Sequence, residues 1–225
     1  MERHFDEELE QLKSKLLKMA SLVEAIVAKS VKSLEERNPK LTEKVGDEED
    51  AINMLEIDID EQCLKLLALR QPMAGDMRFI TSAMKINNDL ERMGDLAVNI
   101  VNRTKIILQY PQLKPLNNIP QMAVIAQEMV RESLNALVNR DSKTAREVCK
   151  KDNRVDDLNE ELFRELLTYM MQDPKNIEAA IDLILVARNI ERIADHATNI
   201  AEDVIYLVEG KTIKHHVEER QLRHE

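Results

Sequence analysis

An internal repeat narrows the possible folds of this 225-residue chain more than any other feature of its sequence. Residues 85–100 read KINNDLERMGDLAVNI, and residues 185–200 read LVARNIERIADHATNI, one hundred positions later. Aligned without a gap, they share Glu91/Glu191, Arg92/Arg192, Asp95/Asp195, Ala97/Ala197, Asn99/Asn199 and Ile100/Ile200, and the other positions mostly exchange one apolar residue for another. A second register, offset by 103, aligns residues 31–61 with 134–164 and matches Val45 to Val148, Ile52 to Val155 and Leu55 to Leu158. A chain with two such registers is expected to fold as two equivalent halves.

The content of each half follows from what interrupts the pattern. Only four glycines and six prolines punctuate the chain, aromatics make up 3% of it, and Ala, Leu, Met, Glu, Lys and Ile dominate, as they do in long helices. Asn38-Pro39, Gln71-Pro72, the cluster Pro111 to Pro120, Asn139 to Asp141, Asp173-Pro174 and Gly210 divide it into six stretches. Leu9, Leu12, Leu16, Met19, Leu22, Val23, Ile26 and Val27 recur at three and four residues in the first stretch. Val124, Met129, Leu134 and Leu137 keep a looser version in the fourth. Strand-like alternation is absent. The expected fold is all-α: two tandem, pseudo-symmetric, antiparallel three-helix bundles made of six long helices, roughly 25 to 35 residues each. The segment YPQLKPLNNIP, residues 110–120, holds three of the six prolines at the midpoint. The expected boundaries are therefore 1–110 for the first bundle, 111–119 for a linker, 120–210 for the second bundle and 211–225 for a charged tail.

Charge and cysteine usage limit the partners. A formal net charge of −10 and a pI near 5.2 disfavour general binding to nucleic acid or anionic membranes and favour cationic partners. Cys63 and Cys149 stand alone in helical pattern and read as reduced core residues. No apolar run approaches the ~18 residues of a membrane span, and MERHFDEELE is too polar for a signal peptide. The cytoplasm is the expected location, without direct membrane insertion. His215 and His216 fall in the charged tail and read as a solvated helix end.

The repeated polar residues carry the chemistry. Positions four apart on a helix are separated by about 40°, so Glu91, Asp95 and Asn99 form one row of oxygen donors and Glu191, Asp195 and Asn199 another. In the 103-residue register, Glu49 and Asn53 fall opposite Asp152 and Asp156, which puts an acidic pair on the middle helix of the second half and part of one on the first. Antiparallel packing of middle and third helices brings such rows face to face, with four to six oxygens between them. Three readings stay open: solvated surface with Arg92 and Arg192 as local ion-pair partners, buried polar networks that fix helix register, or cation sites. The cation reading leads, because two copies recur in register within apolar sequence. All-oxygen ligands suit magnesium, calcium, manganese or iron better than zinc. His196 lies about 140° from Glu191 and reads as a core or surface histidine rather than a ligand.

Enzymatic signals are missing. The chain has no Glu-x-x-His pairs of the di-iron kind, no phosphate-cradling glycine loop, no nucleophile elbow, and no Ser or Cys beside a plausible His base.

The segments ERMGDLAVNI and ERIADHATNIAEDVIYLVEG resemble the signature segments of the PhoU family of phosphate-uptake regulators. Residues 63–100 and 162–210 extend the likeness, which spans essentially the whole chain. The resemblance implies two pseudo-symmetric three-helix bundles, acidic E(D)-x-x-x-D motifs that bind metal clusters of iron, zinc, manganese or magnesium, and a homodimer. It also implies a cytoplasmic, non-enzymatic role in repressing the phosphate-starvation response through contacts with the ATPase subunit of the phosphate ABC transporter and with a phosphate-sensing histidine kinase. Matched residue by residue, the motif falls on Glu91 and Asp95, on Glu191 and Asp195, and on Asp152 with Asp156; Glu49 followed by Asn53 is a departure that lowers the charge of the first half. A metal-dependent hydrolase or metal-handling helical protein is the alternative, requiring two hydrated cations about 4 Å apart. A purely structural scaffold is the third possibility.

Overall fold

The computed structural model describes residues 2–43, 45–113, 117–211 and 213, and among them there are six α-helices and no strand. They are α1 (Glu2–Glu35), α2 (Val45–Arg70), α3 (Ala74–Ile107), α4 (Asn118–Asn139), α5 (Ser142–Gln172) and α6 (Ile177–Glu209). Among the described residues no helix is long and apolar enough to cross a membrane. Apart from Lys211 and Ile213, the expected tail lies outside the described residues.

The breakers act where the sequence places them, each by its own chemistry. Pro39 opens a short 3-10 turn whose Asn38 side chain accepts the Lys40 N–H. Asp141 caps α5 by accepting the Lys143 and Thr144 N–H groups at 3.0 and 3.1 Å, satisfying donors that have no helical partner. Gly210 ends α6 at φ 70°, a left-handed conformation that suits glycine. Pro120 lies in the first turn of α4, where its missing N–H costs nothing, so α4 already starts at Asn118, inside the expected linker. At 22 residues, α4 is shorter than the expected 25 to 35.

Neighbouring helices in each half run antiparallel. Arg70 pairs with Glu8 between α2 and α1 at 2.8 Å, Asn87 of α3 donates to the Glu56 carbonyl of α2 at 2.9 Å, and Arg146 of α5 pairs with Glu209 of α6 at 2.9 Å. The two halves do not stand apart as beads on a linker. α3 and α6 pack along each other in the most extensive helix contact of the molecule, and α1 meets α4. Leu12, Met19, Ile52, Leu90, Met129, Leu158 and Ile190, drawn from all six helices, belong to one continuous apolar core. In cross-section α1, α3, α6 and α4 form a ring, with α2 added beside α1 and α3 and α5 beside α4 and α6. One broad face of the molecule therefore presents α2, α3, α6 and α5 side by side.

Candidate functional site

The seam between α3 and α6 runs down the middle of that face. His196 Nδ1 lies 2.8 Å from Asp89 Oδ1, and Asn199 Nδ2 donates to the same oxygen at 3.4 Å. Lys85 pairs with the buried Asp203 at 3.3 Å and stands 5.6 Å from the Tyr206 ring centre, and Arg103 pairs with Asp182 at 3.1 Å. The acidic rows flank this seam in two grooves, α2–α3 on one side and α5–α6 on the other.

In the α5–α6 groove the structure brings together Asp152, Asp156, Glu191 and Asp195. Asp152 and Glu191 are half-buried, whereas Asp156 and Asp195 occupy the rim. Burial, reinforced by Asp195, Asp156, Glu191 and Glu202, pushes the Asp152 carboxyl up to about 7. Glu191 is raised by burial and by Asp195 and Asp156, and Arg188 and Arg192 oppose the shift. Asp195 is raised by burial and Asp156, and Asp156 by burial and Asp157. Asp152 Oδ1 is buried without a hydrogen-bond partner. Carboxylates held in such crowding favour a positive charge among them.

The α2–α3 groove is milder. Glu49 accepts a hydrogen bond from Asn53 at 3.1 Å, and Arg92 lies 3.6 Å from the Glu91 carboxylate. Glu91 is raised by burial, then by Asp95, with Arg92 opposing and Glu56 and Glu49 adding to the rise.

The asparagines leave the rows. Eight residues rotate a helix by about 80°, so Asn199 turns away from Glu191 toward Asp89 of α3, and Asn99 faces solvent. Glu56 and Glu202 take part in the grooves but are absent from the sequence-based residue set. Glu56 lies seven residues after Glu49 and Glu202 seven after Asp195, about 20° from each, so the heptad step carried a signal that a four-residue spacing passes over.

The donor chemistry of the second groove fits a hard divalent cation: carboxylate oxygens only, one of them buried and unpartnered. Among the described residues no three His, Cys, Asp or Glu side chains are disposed as a ready metal cage, so binding would require the carboxylates to change rotamer.

Comparison with known proteins adds a second line of observation. The PhoU domain family matches residues 16–104 and 119–204, one copy in each half. The phosphate-specific transport system accessory protein PhoU homolog of Aquifex aeolicus is 46% identical over 214 residues, covering 95% of this chain and 97% of that protein. The homolog of Pseudomonas aeruginosa is 39% identical over 214 residues, 95% of this chain and 88% of its own. Among solved structures, PhoU from Pseudomonas aeruginosa superposes with a TM-score of 0.89 at 40% identity, covering 92% of this chain and all of that one. The phosphate transport system regulatory protein PhoU from Streptococcus pneumoniae superposes with a TM-score of 0.86 at 29% identity, covering 93% and 99%.

Proposed function

This chain belongs to the PhoU family, and from that premise we propose that it is a non-catalytic accessory regulator of phosphate-specific transport. The observation that carries the reading is the match of both halves to one family whose relatives are named as accessory proteins of a phosphate-specific transport system. In this reading it is a cytoplasmic homodimer that restrains phosphate uptake and the phosphate-starvation response, and it contacts the ATPase subunit of the phosphate ABC transporter and a phosphate-sensing histidine kinase. The broad α2–α3–α6–α5 face supports docking: it is long, and it carries charge of both signs.

Metal binding belongs to the same proposal. Asp152, Asp156, Glu191 and Asp195 would hold a hard cation in the second groove, with magnesium, manganese or iron preferred over zinc on donor chemistry; Glu49, Glu91 and Asp95 would hold one in the first. A bound cation supplies positive charge that cancels the mutual repulsion of the carboxylates. Without it, the four carboxyls crowd one another and hold protons more tightly, Asp152 up to about 7, and Arg188 and Arg192 offset only part of the rise at Glu191.

Deleting the gene in its host is expected to leave alkaline phosphatase expression high in phosphate-rich medium, with repression restored by the intact chain. Normal repression in the deletion strain would overturn the regulatory reading. Elemental analysis of protein purified without chelators or affinity tags, beside a Glu91/Asp95/Glu191/Asp195 quadruple alanine variant, tests the metal separately: bound manganese, iron or magnesium is expected in the first and lost in the second.

A further inference from the structure

Inside the first bundle, one helical turn from Glu91, three polar side chains stand where the second bundle is apolar. Ile52 of α2 packs against Gly94 of α3, which marks the side that each helix turns toward the other. Cys63 lies eleven residues after Ile52 and Asn87 seven before Gly94, each about 20° from a whole number of turns, so both face that interface. Asp60 stands three residues before Cys63, on the adjoining turn. It accepts a hydrogen bond from Asn87 Nδ2 at 3.0 Å, and its charge bears on the Cys63 thiol. Cys63 and Asn87 have no exposure, whereas Asp60 reaches the edge of the groove. Asn87 Nδ2 also donates to the Glu56 carbonyl at 2.9 Å. Turning the amide over would set its oxygen against two acceptors, so Oδ1 stays on the other side, buried without a hydrogen-bond partner.

The repeat shows that packing does not require this arrangement. The equivalent positions in the second half are Phe163 for Asp60, Leu166 for Cys63 and Ala187 for Asn87, and Leu166 and Ala187 are buried in the core. The first half thus carries a carboxylate, a thiol and an amide where its twin makes the same helix contact with apolar groups. It also leaves an amide oxygen unbonded in the interior, at a cost in stability. A clamp that fixes helix register accounts for Nδ2, which bonds α2 twice, but not for Oδ1 or for the thiol nearby. Burial, then Asp60, pushes the Cys63 thiol up to about 12 against the pull of Lys15, so in the absence of a cation it keeps its proton. A divalent cation removes that obstacle, because it takes the proton's place on sulfur and neutralises Asp60 at the same time.

We propose that Cys63, Asp60 and Asn87 Oδ1 form a site for one zinc-type divalent cation, separate from the acidic rows, with a fourth position open to water at the Asp60 edge. The thiolate selects zinc over the hard cations that suit the all-oxygen rows. On binding, the Cys63 proton leaves to solvent, and thiolate and carboxylate together balance the two charges of the ion. The ion would tie α2 to α3 at a point where the second half relies on apolar contact alone. The proposal goes beyond the regulatory reading and does not depend on metal in either groove.

Cobalt tests it in the full chain, stripped with chelator and desalted, because cobalt on sulfur gives a thiolate-to-metal charge-transfer band that all-oxygen sites cannot give. One equivalent is expected to develop the band, and zinc to bleach it where magnesium in large excess does not. Cys63→Ser is expected to abolish the band and Cys149→Ser to leave it. Asn87→Ala, which installs the residue of the second half, and Asp60→Asn are each expected to weaken cobalt binding at least about tenfold, the scale for losing a group that holds or orients a metal. Circular dichroism checks the fold of every variant. The Glu91/Asp95/Glu191/Asp195 quadruple alanine variant is expected to keep the band, so failure of the acidic rows and failure of this site are read apart. No band at saturating cobalt, a band that survives Cys63→Ser or disappears in Cys149→Ser, or affinity indifferent to both Asp60→Asn and Asn87→Ala overturns the proposal. So does a crystal grown with zinc in which only water meets Asn87 Oδ1.

Discussion

The two grooves share a scaffold and differ in charge, and the difference traces to a few side chains. Each places a third helix against a middle helix, with a Glu-x-x-x-Asp pair on the former. In the α5–α6 groove the middle helix answers with Asp152 and Asp156, and all four carboxyls are pushed upward. In the α2–α3 groove the equivalents are Glu49 and Asn53, which hydrogen-bond to each other at 3.1 Å. One amide in place of one carboxylate turns a line of mutual repulsion into a local bond. Duplication therefore fixed where the polar rows lie, while single substitutions set how much charge each row holds.

Because α3 and α6 share one core, the comparison holds only if the halves are one cooperative body. Leu90 and Ile190, equivalent residues with no exposure, test this. Leu90→Ala or Ile190→Ala is expected to lower stability by about 2–5 kcal/mol in a single unfolding transition followed by calorimetry. Two resolved transitions, only one of them moved by each variant, would show that the halves are separate domains.

The next effect concerns the carboxylate difference itself. Manganese titration followed by calorimetry is expected to resolve a tighter α5–α6 site and a weaker α2–α3 site. Asp156→Asn should weaken the former by about tenfold and Asn53→Asp should tighten the latter by a similar factor, on the scale of one charged ligand. Equal affinities in wild type, or no response to the exchange, would remove the charge explanation of the asymmetry.

Much of this architecture is legible in the sequence, because long helices announce themselves by period and breaker. The six stretches, the antiparallel order and the pairing of Asp152 and Asp156 with Glu191 and Asp195 all follow from 3.6-residue spacing and the two registers. Two things were not legible. Asn199 lies on the acidic row only if the row ignores helical drift; at about 80° from Glu191 it meets Asp89, a residue of the other half whose equivalent is Asn189. Nor does a proline-bearing linker reveal that the two halves pack together through α3 and α6, because the seam is made by Lys85, Asp89, His196 and Asp203, which the repeat does not share.

The pH response should also separate the halves. The Asp152 carboxyl is pushed up to about 7 in the folded protein, whereas an unfolded chain releases that proton near pH 4. Its favourable contribution is thus fully present below about pH 4 and is lost as pH rises through 7. The full shift would correspond to about 4 kcal/mol, but Asp152 is only half-buried and solvent screening reduces the expected loss to about 1 kcal/mol. Thermal melts in chelator at pH 5 and pH 8 are expected to show the fall, and Asp152→Asn to flatten it. Glu91→Gln, in the milder groove, should flatten it less. An unchanged slope in Asp152→Asn would place the repulsion elsewhere.

The smallest effect asks whether the halves compensate volume as they compensate charge. Gly94 of α3 packs against Ile52 of α2 so closely that an added Cβ would lie 3.3 Å from Ile52 Cδ1 and 3.5 Å from its Cγ2. In the second half the equivalent pair is Ala194 and Val155, a methyl gained on one side and a methylene lost on the other. Gly94→Ala alone sets a helix-propensity gain of about 1 kcal/mol against overlap with the tip of Ile52. Ile52→Val alone opens space at a cost of about 1 kcal/mol. Made together, they reproduce the second-half pair, and the added methyl enters the space vacated, so a double-mutant cycle in denaturant is expected to give a favourable coupling of about 0.5–1 kcal/mol. Strict additivity would mean that Ile52 already yields to an alanine, and that the glycine in one half and the alanine in the other do not reflect matched packing.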